Sequence, residues 1–161
     1  MSNIIAAILD FISIELTVIL TAALPVIELR GAIPIGISLG LGPIHSFALS
    51  FMGSMIPVPF ILLLVRPIFR FLRNSRFLGK PVNNLISKSM RKSRQIQRYK
   101  YLGLFIFVAL PIPGTGVWTG SIIAAFMDMR LKWALPAIFL GNLLAGIIVM
   151  GLSQGLVNII T

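Results

Sequence analysis

The residues best suited to chemistry in this sequence lie where proline and glycine interrupt long apolar runs. In the first such segment, Glu28 and Arg30 lie between Pro25 and Pro34. Residues two positions apart do not face each other on a regular helix, but they share one side of an unwound, extended segment. We therefore expect an extended tip in which the carboxylate of Glu28 pairs with the guanidinium of Arg30.

An ionisable side chain at membrane depth costs about 2.5–3.5 kcal/mol on insertion scales and marks a functional site by default. Glu28 can bind and release a proton, and Arg30 can hold an anion. We expect Glu28 to couple proton movement to transport, and we expect Glu28, Arg30, Gly31 and Pro34 to bind substrate. The alternative is an ion pair that neutralises itself and has only a structural role.

The second interrupted segment, P-I-P-G-T-G at positions 111–116, supplies polar groups without charge. Glycine permits tight turns, and the free amides at the start of a following helix attract anions. This pattern predicts a second substrate-binding tip, whose residues are Pro113, Gly114, Thr115, Gly116, Trp118 and Thr119. The alternative is that these polar groups satisfy one another.

The sequence offers little for catalysis or for binding a metal. It has no cysteine and one histidine, His45, so thiolate sites and histidine clusters are excluded. Glu28 has no second carboxylate or other base beside it with which to catalyse acid–base chemistry on a covalent bond. We therefore expect no enzymatic activity, no catalytic residue, no cofactor and no metal site.

The composition is that of an integral membrane protein. Of the 161 residues, 57% are hydrophobic and 11% are charged, whereas a typical soluble domain has roughly 25% charged residues. The mean hydropathy is +0.99, and so little polar surface cannot cover a soluble globule of this size. A cytosolic enzyme, a disordered tail and a free-standing nucleic-acid module are excluded.

The charge is concentrated in one stretch. The formal net charge is +10, and 11 of the 14 basic residues lie between Arg66 and Lys100, where no acidic residue occurs. The positive-inside rule predicts a cytoplasmic loop on anionic lipid here, not a nucleic-acid site. Arginines at 66, 70, 73 and 76 recur at helical spacing, which predicts an amphipathic helix on the headgroups; the alternative is a solvated linker.

The pattern predicts an all-α integral membrane protein with a single membrane domain over 1–161. A bilayer core of about 30 Å requires roughly 20 helical residues, so residues 1–12 are too short to span it and either lie at the interface or extend the first arm. Each half, 1–65 and 101–161, reads as a re-entrant hairpin followed by a transmembrane helix. The hairpins are expected at about 14–40 and 101–128, the transmembrane helices at about 44–65 and 133–158, and the basic cytoplasmic loop at 66–100.

The hairpins and their repetition follow from two observations. The uncharged stretch 101–127 is broken at its centre and flanked by basic residues on both sides, which a hairpin satisfies and a proline-kinked span, the alternative, does not. The string Ala-Leu-Pro at 23–25 recurs 86 positions later, and Phe-Met-Gly at 51–53 corresponds to Phe-Leu-Gly at 139–141. Because a hairpin makes no net crossing, the second half starts from the opposite face, which predicts an inverted repeat.

Two segments carry a family resemblance: P-V-I-E-L-R-G-A-I-P at 25–34 and L-P-I-P-G-T-G-V-W-T-G at 110–120. Taken together, they resemble the small multidrug export family, within the DedA superfamily of membrane proteins. The resemblance covers about residues 15–157. It implies two re-entrant hairpins, inverted halves and transport. It also implies proton coupling through an acidic residue in the first hairpin, the position of Glu28, and movement of a lipid phosphate. DedA proteins carry arginines beside the I-P-G of the second hairpin, whereas 110–116 holds none here, so Arg30 would supply the cation.

We therefore expect a small, proton-linked, multi-pass transporter in the prokaryotic cytoplasmic membrane that moves an amphiphilic or anionic-lipid substrate between two hairpin tips. An uncoupled lipid scramblase or membrane-organising protein is the alternative, and a small channel is a third reading. The expected partners are membrane lipids, with anionic lipid at the basic loop. A monomer with so few helices buries little surface around a transport pathway. We therefore expect that the protein can form a homodimer.

Overall fold

The fold consists of helices alone in the part of the chain that the computed structural model describes, residues 2–74, 96–112 and 114–160. The all-helical class predicted from the sequence is confirmed for these residues. The helices are α1 (Ser2–Ala23), α2 (Glu28–Ser38), α3 (Pro43–Met55), α4 (Pro57–Asn74), α5 (Ile96–Ala109), α6 (Val117–Phe126) and α7 (Leu131–Ile160).

Within the described ranges, two stretches are long and apolar enough to cross a membrane. They are Pro43–Val65, formed by α3 and α4 together, and Leu131–Gly155 within α7, each with a mean hydropathy of 2.1. They coincide with the transmembrane helices predicted at 44–65 and 133–158. Proline has no amide hydrogen to donate, which explains why the first stretch is interrupted between Met55 and Pro57.

Helices α2 and α6 are too short to cross a membrane. Helices α2 and α6 have 11 and 10 residues, or about 15 Å each, half the thickness of a bilayer core. Helix α2 packs against α1 and α3, and α6 packs mainly against α4. Residues 2–12, expected to extend the first arm or to lie at the interface, form the first half of α1.

Glycine allows close contact where each long apolar stretch meets a neighbouring helix. Helix α3 packs against α1, and α7 packs against α5. A Cβ atom at Gly53 would collide with the carbonyl oxygen of Ile19, and one at Gly141 would lie 2.7 Å from the carbonyl oxygen of Phe105. Small residues are favoured at helix interfaces in membranes because they let backbones approach.

Helix α2 ends in a Schellman motif, in which two amide hydrogens beyond the helix donate back to its last carbonyls. The amide of Leu41 donates to the carbonyl of Gly36, and that of Gly40 donates to Ile37, both at 3.0 Å. Gly40 has a φ of 91°, a left-handed conformation that glycine adopts without steric cost.

Helix α6 ends in the same motif, with each residue 88 positions later in the chain. The amide of Met129 donates to the carbonyl of Ala124 at 2.9 Å, and that of Asp128 donates to Ala125 at 3.1 Å. Here the left-handed residue is Asp128, with a φ of 48°. Aspartate tolerates this conformation better than most residues.

The described side chains form two clusters of buried apolar residues. The smaller joins α1, α2 and the loop after α2, and the larger joins α4, α5, α6 and α7. The smaller cluster contains Val18, Ala22, Ala32 and Leu41, and the larger contains Val58, Leu62, Leu104, Val108, Val117, Ala124, Met129, Ala134, Ala137 and Ile138.

The described surface of the long apolar stretches exposes large apolar side chains. Phe60, Leu64 and Leu152 are each about three-fifths exposed, and so extensive an apolar surface indicates contact with lipid. Of the predicted basic loop, the structure describes backbone at 66–74 and 96–100, where α4 and α5 continue into it. The rest of the loop, and the side chains of the predicted amphipathic helix, lie outside the described residues.

Candidate functional site

The first tip is a short turn that places Glu28 at the start of α2. Helix α1 ends at Ala23, residues 24–27 form the turn, and Glu28 is the first residue of α2. Glu28 has a φ of 51°, a left-handed conformation that costs a non-glycine residue roughly 1–2 kcal/mol. Such conformations persist where surrounding contacts hold them, often at functional sites.

The prediction of an extended tip around Glu28 is wrong, although the predicted pair forms. The chain returns to a helix at Glu28, and Pro34 lies inside that helix. Arg30 Nη1 nevertheless donates to Glu28 Oε2 at 2.7 Å. The left-handed backbone at Glu28, which the sequence pattern does not reveal, accompanies this pairing of side chains only two positions apart.

The second tip is a longer loop between α5 and α6 that is held by Thr115. Thr115 Oγ1 lies 2.8 Å from the carbonyl oxygens of both Leu110 and Ile112 and donates to one of them. Gly114 has a φ of 85°, which the turn requires. The break in the helix that the sequence predicts at 111–116 is therefore present.

The carboxylate of Glu28 lies across the chain at the start of α6. Its Oε1 accepts a hydrogen bond from the backbone amide of Trp118 at 3.2 Å. It lies so close to Gly116 that any Cβ atom there would collide with it. Because the amides at a helix start carry partial positive charge, Glu28 complements the N-terminus of α6.

The guanidinium of Arg30 binds the other end of the broken second tip. Its Nη2 donates to the carbonyl oxygens of Val108 at 3.0 Å and Leu110 at 2.8 Å, at the end of α5. It also lies 3.3 Å from both the carbonyl oxygen and Oγ1 of Thr115. Its Nε is buried and has no partner among the described residues. Arg30 thus supplies positive charge where the carbonyls of α5 carry partial negative charge.

Trp118, in the second tip, forms a hydrogen bond to the first tip. Its indole Nε1 donates to the carbonyl oxygen of Ala23, at the end of α1, at 3.1 Å. Each tip therefore donates to the last carbonyls of the other tip's first helix, through Arg30 in one direction and Trp118 in the other. We refer to Glu28, Arg30, Thr115, Gly116 and Trp118 as the tip cluster.

The tip cluster lies beside the middle of the long apolar stretch in α7, which contacts the middle of the other stretch. Asn142 and Ser54 are near their centres, and Asn142 Nδ2 donates to Ser54 Oγ at 2.8 Å. A Cβ atom at neighbouring Gly141 would lie 2.9 Å from Val108 Cβ, and the carbonyl of Val108 accepts from Arg30. Asn142 therefore links the two long apolar stretches through a side-chain hydrogen bond.

Not every residue predicted for the substrate site belongs to the tip cluster. Gly31 packs on Ile27 of its own tip, and Pro34 is exposed about two turns along α2. Gly114 is exposed, and Thr119 is half-buried in α6 with no described bond to the cluster. Pro113 lies outside the described residues.

Several members of the arrangement carry no signal in the sequence. The carbonyls of Ala23, Val108 and Leu110 act as acceptors, and the backbone amide of Trp118 acts as a donor. Every residue has these groups, so only the fold selects them. Gly116 could be noticed because glycine often marks a close approach of two groups.

The chemistry available at the tip cluster is binding and release of a proton or an anion. A carboxylate here holds two donors that would also suit an anionic ligand, a guanidinium N–H and a helix-start amide. Among the described residues, no group of three or more histidine, cysteine, aspartate or glutamate side chains could hold a metal ion.

The fold and this site define a helical membrane protein with a charged pair between two broken helical tips. The sequence profile of one family, described as "Putative small multi-drug export protein", matches residues 28–148. This match covers well over half of the chain, so the chain belongs to that family. No curated protein and no solved structure matches the chain significantly.

Proposed function

We propose that this protein is a proton-linked transporter of the cytoplasmic membrane that moves an amphiphilic or anionic-lipid substrate between its two tips. The observation that carries the proposal is the position of the Glu28 carboxylate. It accepts hydrogen bonds from both the guanidinium of Arg30 and the amide at the start of α6. The carboxylate of Glu28 therefore accepts hydrogen bonds from the same donors that would bind an anionic ligand.

Protonation of Glu28 provides the coupling. A neutral carboxyl is a weaker acceptor than a carboxylate, and charge-assisted hydrogen bonds are roughly twice as strong as neutral ones. When Glu28 takes up a proton, Arg30 Nη1 and the amide of Trp118 become available to an anionic group of the substrate. When Glu28 loses the proton, its carboxylate competes for the same donors and releases that group.

We further propose that the two halves form an inverted repeat and that α1–α2 and α5–α6 are re-entrant hairpins, as in the wider DedA superfamily. The short α2 and α6, each half a membrane thickness, support the hairpins. The identical helix ends 88 positions apart support the repeat. Residues related by a two-fold axis touch each other only near that axis. Three pairs 88 positions apart are in contact: Glu28 with Gly116, Phe51 with Phe139, and Ser54 with Asn142.

A specific observation favours a second candidate, in which the pair only holds the tips together. Apart from Arg30 Nε, the charged groups of the tip cluster have partners within the protein. Breaking a buried pair by removing one partner costs about 3–5 kcal/mol, whereas replacing both partners is often neutral. The protein would then act as an uncoupled scramblase or membrane-organising protein.

Four proteins separate these candidates: the parent, Glu28→Gln, Arg30→Gln and the double variant. Each is measured for melting temperature and for flux of a fluorescent phosphatidylglycerol in liposomes with and without a pH gradient. For a coupled site, Glu28→Gln keeps its fold and transports without pH dependence, and Arg30→Gln loses flux, since no other cation lies in the described tips. If the pair is only structural, both single variants melt at lower temperature and the double variant recovers stability and flux together.

A further inference from the structure

A second feature outside the tip cluster is an apolar groove between the two arms of the second tip. It has a volume of about 560 Å³, within the range of small-molecule sites. Helix α5 contributes Gly103, Leu104 and Phe107, and α6 contributes Ile123 and Met127. Gly103 opens the groove, because a Cβ atom there would meet no other atom within 4 Å.

The groove has the dimensions and lining for a hydrocarbon chain. From Tyr99 to Phe107 it follows α5 for eight residues, or about 12 Å at the rise of an α-helix. Its lining is apolar except near the start of α5, where Tyr99 and Lys100 stand. An apolar chain inside and a polar group at this one end match the two parts of a membrane lipid.

The charge at the polar end selects the kind of lipid. Lys100 lines the groove there, with its Nζ 5.2 Å from the centroid of the Tyr101 ring. Arg130 and Lys132 follow the groove residue Met129 in the sequence, and Asp128 precedes it. Of these four charged residues, Lys100 is the one that lines the groove, and its positive charge near the membrane surface favours an anionic headgroup.

We infer that this groove binds one acyl chain of an anionic phospholipid from the surrounding membrane, with the phosphate at Lys100. The site is separate from the tip cluster, it includes Tyr99 and Lys100 from the last two positions of the basic loop at 66–100, and it exists whether or not Glu28 couples protons. It is formed by the two helices that carry the second tip, so the bound chain would fill the space between them.

Photo-crosslinking tests this site directly. The full protein is placed in phosphatidylcholine nanodiscs with a small fraction of phosphatidylglycerol that carries a diazirine in one acyl chain, and adducts are mapped by peptide mass spectrometry. We expect adducts concentrated at 99–107 and 123–129, and about fivefold fewer with a phosphatidylcholine probe of the same chain, since one lysine near the surface contributes that much.

Matched variants locate the chain and the headgroup. Gly103→Leu should fill the groove and Lys100→Gln should remove the headgroup contact, each lowering the adducts about fivefold or more. Gly151→Leu, at another helical glycine with open space, and Lys132→Gln should leave them unchanged. If Gly103→Leu fails to fold, the comparison of Lys100→Gln with Lys132→Gln still tests the site. Equal labelling by both probes, adducts spread over the whole apolar surface, or unchanged labelling in folded Gly103→Leu or Lys100→Gln would overturn the inference.

Discussion

At the scale of single residues, Glu28 and Arg30 act on the ends of helices as well as on each other. The carboxylate lies at the start of α6, and the guanidinium lies at the end of α5. Each charge therefore meets the helix terminus of opposite partial charge. This arrangement reduces the cost of burying an ion pair, which mutual attraction alone often fails to offset.

Gly116 is the residue on which this arrangement depends most directly. Its backbone φ of −81° suits alanine, but a Cβ atom would displace the carboxylate of Glu28. We expect Gly116→Ala to destabilise the protein by about 1–3 kcal/mol, because Glu28 loses buried hydrogen bonds. Thermal melting in detergent measures this effect. Gly103→Ala, whose Cβ would meet open space, is the control, and equal melting temperatures for the two variants would contradict the role given to Gly116.

At the scale of elements, the ends of the short helices set where the chain turns back. Helix α2 ends at a left-handed Gly40, and α6 ends at a left-handed Asp128. In both motifs the residue that follows is buried, Leu41 in one and Met129 in the other. The turn and the core contact together fix where the next helix begins.

The left-handed turn after α2 gives a prediction with a control two residues away. Neither Gly40 nor Gly42 has an atom within 4 Å of where a Cβ would lie, but φ is 91° at Gly40 and −60° at Gly42. We expect Gly40→Ala to lower stability by about 1–2 kcal/mol through backbone strain alone, and Gly42→Ala to change it by less than about 0.5 kcal/mol. Denaturant unfolding in mixed micelles compares them. If both variants unfold at the parent's midpoint, the turn does not contribute to stability.

How much of these elements the sequence predicts depends on the range of the interactions that form them. The apolar stretches and the break at 111–116 are predicted correctly, since hydropathy, proline and glycine act locally. The extended form of the first tip is predicted wrongly, because nothing local marks Glu28 as left-handed. The contacts of Glu28 with Trp118 and of Arg30 with Val108 join residues 90 and 78 positions apart. No local pattern encodes such contacts.

At the scale of the whole molecule, the two halves meet through their tips and through the centres of their long apolar stretches. Arg30 and Trp118 donate across the tips, and Asn142 donates to Ser54 between the stretches. These polar contacts lie next to the middle of the long apolar stretches. In the proposed architecture both hairpins turn back inside the membrane, so the topology of the chain tests that architecture directly.

The inverted arrangement predicts which loops face the cytoplasm. The basic loop and the loop between α6 and α7 should lie inside, because most of the basic residues belong to these two loops. The loop between α2 and α3, and the end of α7, should then lie outside.

The chain has no cysteine, so single cysteines at Ser93, Met127, Gly42 and Thr161 can be labelled in intact cells with a membrane-impermeant reagent. We expect labelling at 42 and 161, and labelling at 93 and 127 only after permeabilisation. If position 127 is labelled in intact cells and position 93 is not, α5 and α6 together cross the membrane, and the second hairpin is not re-entrant.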